Sequence, residues 1–357
     1  MLNNLATKFT AHESEVSKWL QEKATGLQMP IYASCDVRNS GFKITTVDTN
    51  LFPAGWNNLC ASYQAIAAAL FANYFKQEGL GQNIAVVTEE HTRNPFYLSN
   101  LKALQGILQE AGLKVDLCSP LLQDEAVFQT AEEDEITIKP LSKVDKYDFL
   151  LLNNDFSDGV PSVLTQAGVP MRPSLDSGWH KRRKSEHFKH FNQLATELAG
   201  ILGFDPWHLT TEFTVEEDID VNEDAARRRL AAAAEGLLKK IGQEYEKRGI
   251  NEEPVVFVKN DSGTYGMGVV SVKSADDILN LNRKARNNLS KGKGGVTISN
   301  FLLQEGVPTK DMIKGNVAEP VVYVAGAKPT GGFFRVNEIK GESDNLNSRG
   351  MKFVKLC

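Results

Sequence analysis

The chain has 357 residues, 41% of them hydrophobic and 24% charged, and a net charge of −5. That length exceeds one ordinary domain and the composition is that of a soluble globular protein, so two or three domains around a large buried core are expected. The mildly acidic balance gives no reason to expect nucleic acid or an anionic membrane as a partner.

The opening stretch MLNNLATKFTAHESEVSKWLQEKATGL places Glu13, Glu15 and Glu22 among its apolar positions, which predicts an amphipathic surface helix rather than a secretory leader. No apolar run approaches the roughly 18 residues of a membrane span. Cys35, Cys60, Cys118 and Cys357 are scattered, with no C-x-x-C pair and no metal-ligand spacing, so a reduced, cytoplasmic protein is expected, with Cys35 and Cys60 as packing rather than redox residues.

Strand-like runs at 83–89, 114–119 and 147–155 alternate with helical stretches at 57–78 and 95–111. This predicts an α/β fold whose largely parallel sheet is covered by helices, over an N-terminal domain of residues 1–175. Phe149 to Leu152 reads as a central strand buried on both faces. Ligands gather beyond the C-terminal ends of such strands, where Thr88, Glu89, Arg93, Asn94, Asn153, Asn154 and Asp155 stand. Each is either a substrate group or a helix cap or turn residue.

The basic cluster in SGWHKRRKSEHFKHF opens a helix running from Lys184 to about Gly200, and an Ala-rich helix follows at 223–249; together they form a helical connection over 176–253. His187 and His190 read as surface residues of the first of these helices. A sheet-rich part begins at Pro254, with 254–310 as one unit and 311–357 as a C-terminal sheet. The stretch 284–298 is expected to be a mobile loop. The end on MKFVKLC, with no closing helix or cap, predicts further sequence beyond Cys357.

In VVFVKNDSGTYGMGVVSV, a glycine loop joins two strands. A P-loop or a dinucleotide fingerprint needs a helix after the glycines, so neither is present. A glycine hairpin can instead lie over a nucleotide and offer backbone N–H groups to its phosphates, with Gly263, Gly266 and Gly268 allowing close approach and Lys259 adding a charge. The alternative is a plain hairpin with a flexible tip. Downstream, FLLQEGV offers an apolar strand edge ending in Gln304, Glu305 and Val307, and upstream Lys184 supplies a second cation.

These ordered pieces, with YVAGAKPTGGFFRVN and DNLNSRG, resemble the ATP-grasp superfamily of carboxylate-amine ligases over roughly 176–350. DVRNSGFKITTVDTNLFPAGWNNL, EEHTRNPFYLSNL, LLLNNDFSDGVP and SGWHKRRKSEHF narrow the resemblance to the bacterial ATP-grasp type of glutamate-cysteine ligase. The resemblance implies a pre-ATP-grasp domain followed by an ATP-grasp domain, α+β in character, with a glycine-hairpin lid. It also implies ligation of glutamate, through a γ-acyl phosphate, to the amine of cysteine, with ATP and Mg2+. A glutathione synthetase, another ATP-grasp ligase and a non-catalytic ATP-binding regulatory protein remain as alternatives. A homo-oligomer is compatible with the sequence.

Under that resemblance Lys184 and Lys259 contact phosphates, and Gln304, Glu305 and Val307 hold the adenosine. Arg335 stabilises the transferring phosphoryl group, with Asn345 and Asn347 beside it. Because glutamate carries two carboxylates and an ammonium, Arg38, Lys43 and Arg93 are candidates for its carboxylates. Asp48, Asn50, Asn57 and Asn58 are candidates for its ammonium or for fixing the loop, with Asn154 as a further substrate residue; Phe52, Pro53 and Trp56 read as packing. The usual late Glu-x-Asn metal pair is not found before Cys357, so under the resemblance either the ligands lie in further sequence or Glu319, Asn337 and Glu338 substitute.

Overall fold

The structure is a computed structural model that describes residues 2–89, 94–263, 268–291 and 298–357. The chain opens on two helices where one was expected, α1 (Leu2–Ala11) and α2 (Glu13–Ala24). Glu13 and Glu15 fall in the first turn of α2, where carboxylates suit the helix dipole, and the chain turns at His12. An antiparallel hairpin of β1 (Tyr32–Asn39) and β2 (Ile44–Asn50) follows.

α3 (Ala61–Gln77), β3 (Asn83–Thr88), α4 (Pro95–Glu110) and β4 (Lys114–Ser119) then alternate as expected. α4 starts on a proline, which has no N–H to leave unpaired, behind Asn94, whose side chain accepts from Phe96 N at 3.1 Å. β5 (Ala126–Gln129), β6 (Glu135–Pro140), β7 (Phe149–Asn153), α5 (Ser162–Thr165) and β8 (Met171–Arg172) complete a sheet in the order β5-β6-β4-β3-β7-β8, parallel except between β5 and β6. Every residue of β7 is buried. Phe149 and Leu151 face the core under α3 and α4, and Leu150 and Leu152 face a second core with Phe52 and Phe156.

α6 (Lys184–Ile201) carries Ala195 and Ala199 against Leu5 and Val16 of the opening helices. β9 (Phe213–Glu216), α7 (Asp224–Lys247), β10 (Val256–Asn260), β11 (Val270–Val272), α8 (Ala275–Leu279), α9 (Arg283–Ser290) and β12 (Phe301–Glu305) form an antiparallel sheet, β11-β10-β12-β9, covered by α7. α9 occupies part of the stretch expected as a mobile loop: Asn282 caps it by accepting from Ala285 N at 2.9 Å, and Leu289 anchors it in the core. The remainder of that stretch, 292–297, lies outside the described residues.

β13 (Met312–Ile313), β14 (Asn316–Ala325), β15 (Lys328–Asn337) and β16 (Met351–Lys355) build a third sheet in the order β16-β15-β14-β1-β2, antiparallel throughout, with β13 on β14. The early hairpin β1–β2 thus belongs to the sheet made by the last part of the chain, with Cys35 opposite Val322. Its tip reaches the α7 core: Phe42 stacks on Trp207 with ring centroids 6.0 Å apart. Lys43 Nζ donates to both oxygens of Glu305 at 2.8 and 2.7 Å and lies 4.2 Å from the Trp207 ring centroid. Lys43 is therefore a buried strut and not a substrate group. Among the described residues no helix is long and apolar enough to cross a membrane.

Lys43→Ala leaves the Glu305 carboxylate buried without its cation and is expected to cost about 3–5 kcal/mol of stability. The measurement is the denaturant midpoint at unchanged slope, and combining Lys43→Met with Glu305→Gln should recover part of the loss. A cost below about 1 kcal/mol would show that the pair does not hold the hairpin tip.

Candidate active site

Strand alternation decides what faces the site. Val256 and Val258 of β10 point into the α7 core, so Phe257 and Lys259 face the opposite side, where both line a cleft with about 660 Å³ of open space. On β12 the same rule separates neighbours. Gln304, opposite Phe257 in register, lies on the Lys259 side, and its Oε1 accepts from Lys259 Nζ at 2.7 Å. Glu305 falls on the other face, where Lys43 and the Glu212 N–H engage its carboxylate. It does not line the cleft, which corrects its expected adenosine role. Gln304 is fully buried and acts on the cleft through Lys259, while Val307 lines the cleft directly.

Across the cleft stands one face of the β14–β15–β1 sheet. Glu319 and Arg335 are opposite each other in register, and Arg335 Nη1 donates to Glu319 Oε1 and to Asp36 Oδ2, each at 2.6 Å. Arg38 Nε donates to the other Glu319 oxygen, and its two terminal nitrogens donate to the carbonyls of Glu342 and Asp344 at 2.9 Å each. Arg38 lines the cleft with one hydrogen bond from each of its three nitrogens made to the protein. From the connecting helix, Lys184 Nζ donates to Asp48 Oδ1 at 2.5 Å, and Lys259 also donates to the Val47 carbonyl at 3.0 Å. Lys184, Lys259, Asp48, Gly263, Asn345 and Asn347 all line the cleft.

The electrostatics follow from burial set against pairing. Burial alone would lower the Arg335 pKa, but Asp36 and Glu319 outweigh it and hold the guanidinium well above its ordinary value. Burial raises Asp36, and Arg335 only partly offsets it. For Glu319 the balance is reversed: burial would raise it, and Arg38 and Arg335 bring it below the usual carboxylate range. Asp48 is likewise lowered, because Lys184 and Lys259 overcome the effect of burial. Lys259 is pushed down to about 8 by burial, with Asp48 opposing and Lys184 reinforcing the shift. Within the network the Nε of Arg335 is buried and has no protein acceptor.

A second space, a groove of about 1720 Å³, opens between this sheet and the ends of the parallel strands. It shares Asp36, Asp48, Arg335 and Asn347 with the cleft, so the two spaces meet at Arg335. Asn50, Asn57 and Asn58 line the groove. Asn154 does not. Its Nδ2 donates to the Thr88 carbonyl at 3.2 Å and its Oδ1 accepts from Phe156 N at 2.9 Å, which makes it a turn residue and corrects its substrate assignment.

The expected metal pair does not fit. Glu319 is held by two arginines, while the Asn337 amide donates to the carbonyls of Leu346 and Arg349 and its oxygen accepts from Ile339 N. Glu338, the third candidate, pairs on the surface with Lys352 at 2.6 Å. Among the described residues no group of three or more His, Cys, Asp and Glu is arranged to hold a metal ion.

Of the hairpin glycines, Gly263 has φ +128° and Gly268 φ +66°, the backbone region for which glycine was expected. Gly268 packs on α9, where an added Cβ would lie 3.2 Å from the Asn288 carbonyl oxygen, and does not line the cleft. Gly266 and Arg93 lie outside the described residues. His187 is half-buried beside Phe188 and Phe191, not on the surface, and burial first, then Arg182, pushes its pKa down to about 4. Asp36 was missed by sequence reasoning, although its i, i+2 spacing from Arg38 on a strand was available as a signal.

The glutamate-cysteine ligase family model, GshA, matches residues 6–357. The chain belongs to the glutamate-cysteine ligase family. A protein from Methylobacillus flagellatus KT assigned as a gamma-glutamylcysteine synthetase has a solved structure similar to this one, with 36% identity and a TM-score of 0.90, covering 99% of this chain and 87% of that one. The D-alanyl-alanine synthetase A of Vibrio cholerae O1 biovar eltor str. N16961 matches at 13% identity and a TM-score of 0.35 over 77% of this chain and 74% of that one, too little to carry an argument. No curated protein matches the chain.

Burial pushes the Lys259 pKa down to about 8, so if this lysine meets an ATP phosphate, as the resemblance implies, ATP affinity should fall as pH rises through 8, by up to about tenfold per pH unit. Lys259→Arg, charged throughout this range, should flatten that limb. Calorimetric titration of ATP from pH 7 to 9.5 reads it, and identical slopes for the two proteins would remove Lys259 from phosphate contact.

Proposed function

We propose that this protein joins the γ-carboxyl of glutamate to the amine of cysteine in an ATP-dependent reaction, giving gamma-glutamylcysteine, ADP and phosphate. The observation that carries this reading is the junction at Arg335. A cleft lined by buried lysines and a groove lined by amides and aromatic rings meet at one guanidinium whose Nε still has a free hydrogen. The match to the ligase family supports the substrates.

The lysine cleft fits a nucleotide: Lys184 and Lys259 offer positive charge, Gly263 offers approachable backbone, and Phe257 and Val307 offer apolar wall. ATP, when bound there, supplies the γ-phosphoryl group. Lys184 and Lys259 neutralise phosphate oxygens, and a phosphate entering between them takes over the pairing that Asp48 provides to Lys184. Gln304 keeps the Lys259 ammonium aimed at the cleft. The strand, glycine hairpin and strand from 256 to 272 act as the lid of an ATP-grasp unit spanning 176–357, and residues 1–175 contribute the groove wall.

Arg335 does the electrostatic work of the transfer. Charge develops on the phosphoryl oxygens and on the carboxylate they join, and a donor already held in place by Asp36 and Glu319 needs no reorganisation to meet it. Asn347, which lines both spaces, adds a neutral donor at the same point, and Asn345 fixes Asn347 by accepting from its backbone N–H at 3.0 Å. Glu319 and Asn337, the pair expected to hold magnesium, are instead engaged by other protein groups.

ADP release by the purified protein, with ATP and magnesium supplied, should require glutamate and cysteine together. Release only with gamma-glutamylcysteine and glycine would replace this reading with the second ligation, and no release in any mixture would leave a binding protein. Arg335→Lys keeps the charge that Asp36 and Glu319 need but loses the planar donor set. It should lower kcat by about 100-fold with KM for ATP nearly unchanged. A rise in the ATP KM alone would mean that Arg335 binds the ground state.

A further inference from the structure

Two of the cations that the sequence offers to glutamate do not line the groove: Arg38 pairs with Glu319 and lines the cleft instead, and Lys43 is buried against Glu305. Within the groove Arg335 is paired with Asp36, and Lys352 with Glu338 at 2.6 Å. The remaining polar lining is rich in asparagine, and Asn100 on α4 differs from the others.

Asn100 is only 1% exposed yet lines the groove. Its Oδ1 accepts from the backbone N–H of Gly55 at 2.7 Å and of Trp56 at 3.1 Å. Those two donors fix which end of the amide is oxygen, so Nδ2 is turned away from the loop, and it has no protein acceptor. A buried N–H donor is costly to leave unmatched and is normally met by an acceptor. The loop is built for this approach: Gly55 has φ +113°, and a Cβ there would lie 2.8 Å from Tyr323 Oη and 3.2 Å from Asn58 Nδ2. Glycine thus lets the 53–58 turn close on Asn100 while Asn57 and Asn58 face the same groove.

We propose that Asn100 Nδ2 is the donor that reads the α-carboxylate of an amino-acid substrate in this groove, as a specificity residue for the ligation. The assignment rests on the ligase reading above. The ligand must present an acceptor to this atom, which excludes the α-ammonium, a group with donors only. Both glutamate and cysteine carry an α-carboxylate, and the experiment separates them.

Asn100→Asp keeps an oxygen for Gly55 and Trp56 but turns the free donor into a second acceptor that repels a carboxylate. KM is measured for glutamate, cysteine and ATP, alongside calorimetric titration of each amino acid and a thermal melt. The expected result is a rise of about 10- to 100-fold in KM and Kd for one amino acid, with the other amino acid and ATP nearly unchanged; the melt falls, because a carboxylate replaces a buried amide. The substrate affected identifies the carboxylate. The variant should also gain preference for the α-amide of that substrate, whose N–H2 can donate to the new oxygen.

Equal shifts for both amino acids and ATP, or no shift, would overturn the assignment. If the aspartate variant does not fold, Asn100→Ser removes the same donor and is held to the same outcomes. A wild type that binds the amino acids without turnover would overturn the ligase reading while the titrations still decide the subsite; a wild type that binds neither amino acid would overturn both.

Discussion

The guanidinium of Arg335, held between Asp36 and Glu319, is the contact on which the rest of the site depends. Its three members come from β15, β1 and β14, so one cation ties an early hairpin to two late strands. Arg38 closes the network on the far side of Glu319, so that two buried bases are matched by one buried acid, Glu319, and one half-buried acid, Asp36. Any single member without the others would be an uncompensated buried charge, which is far more costly than the whole set. The arrangement therefore stands or falls as a unit and presents one unmatched donor, Arg335 Nε, where the two spaces meet.

The β1–β2 hairpin extends this constraint through the molecule. Its base carries Asp36, Arg38 and Asp48 to the site, and its tip carries Phe42 and Lys43 into the core under α7. The sheet that presents Arg335 and the sheet that presents Lys259 are thereby linked by one pair of strands as well as by the cleft between them. Glu305 and Gln304, adjacent on β12, serve the two ends of that link: one locks the hairpin tip and the other aims Lys259. Rigid support of this kind suits a site whose chemistry is positioning and charge stabilisation.

Much of the fold was legible because local patterns and burial agreed. The apolar run Phe149 to Leu152 could only be a strand covered on both faces, and β7 is one. The glycine loop followed by an apolar run specified a hairpin rather than a phosphate-binding helix start, and β10 and β11 are antiparallel. Lys184, Lys259, Gly263, Val307, Arg335, Asn345 and Asn347 were named from order and motif, and they converge on one cleft. Lys43 and Glu305 were misread because their residue types suit a ligand equally well, and a sequence does not say which charge already has a partner.

The sequence by itself determined the alternating strands and helices of residues 57–155, the two long helices after them, the glycine hairpin and the set of cations available for phosphate, since these depend on periodicity, turn chemistry and residue type within short windows. Only the tertiary structure decided that β1 and β2 pair with β14 and that Arg335 lies between Asp36 and Glu319. It also decided that the side-chain N–H of Asn100 is buried without a protein acceptor in a residue that lines the groove. Those outcomes rest on contacts between residues hundreds of positions apart, where burial makes pairing obligatory and the partner is set by which strands lie side by side.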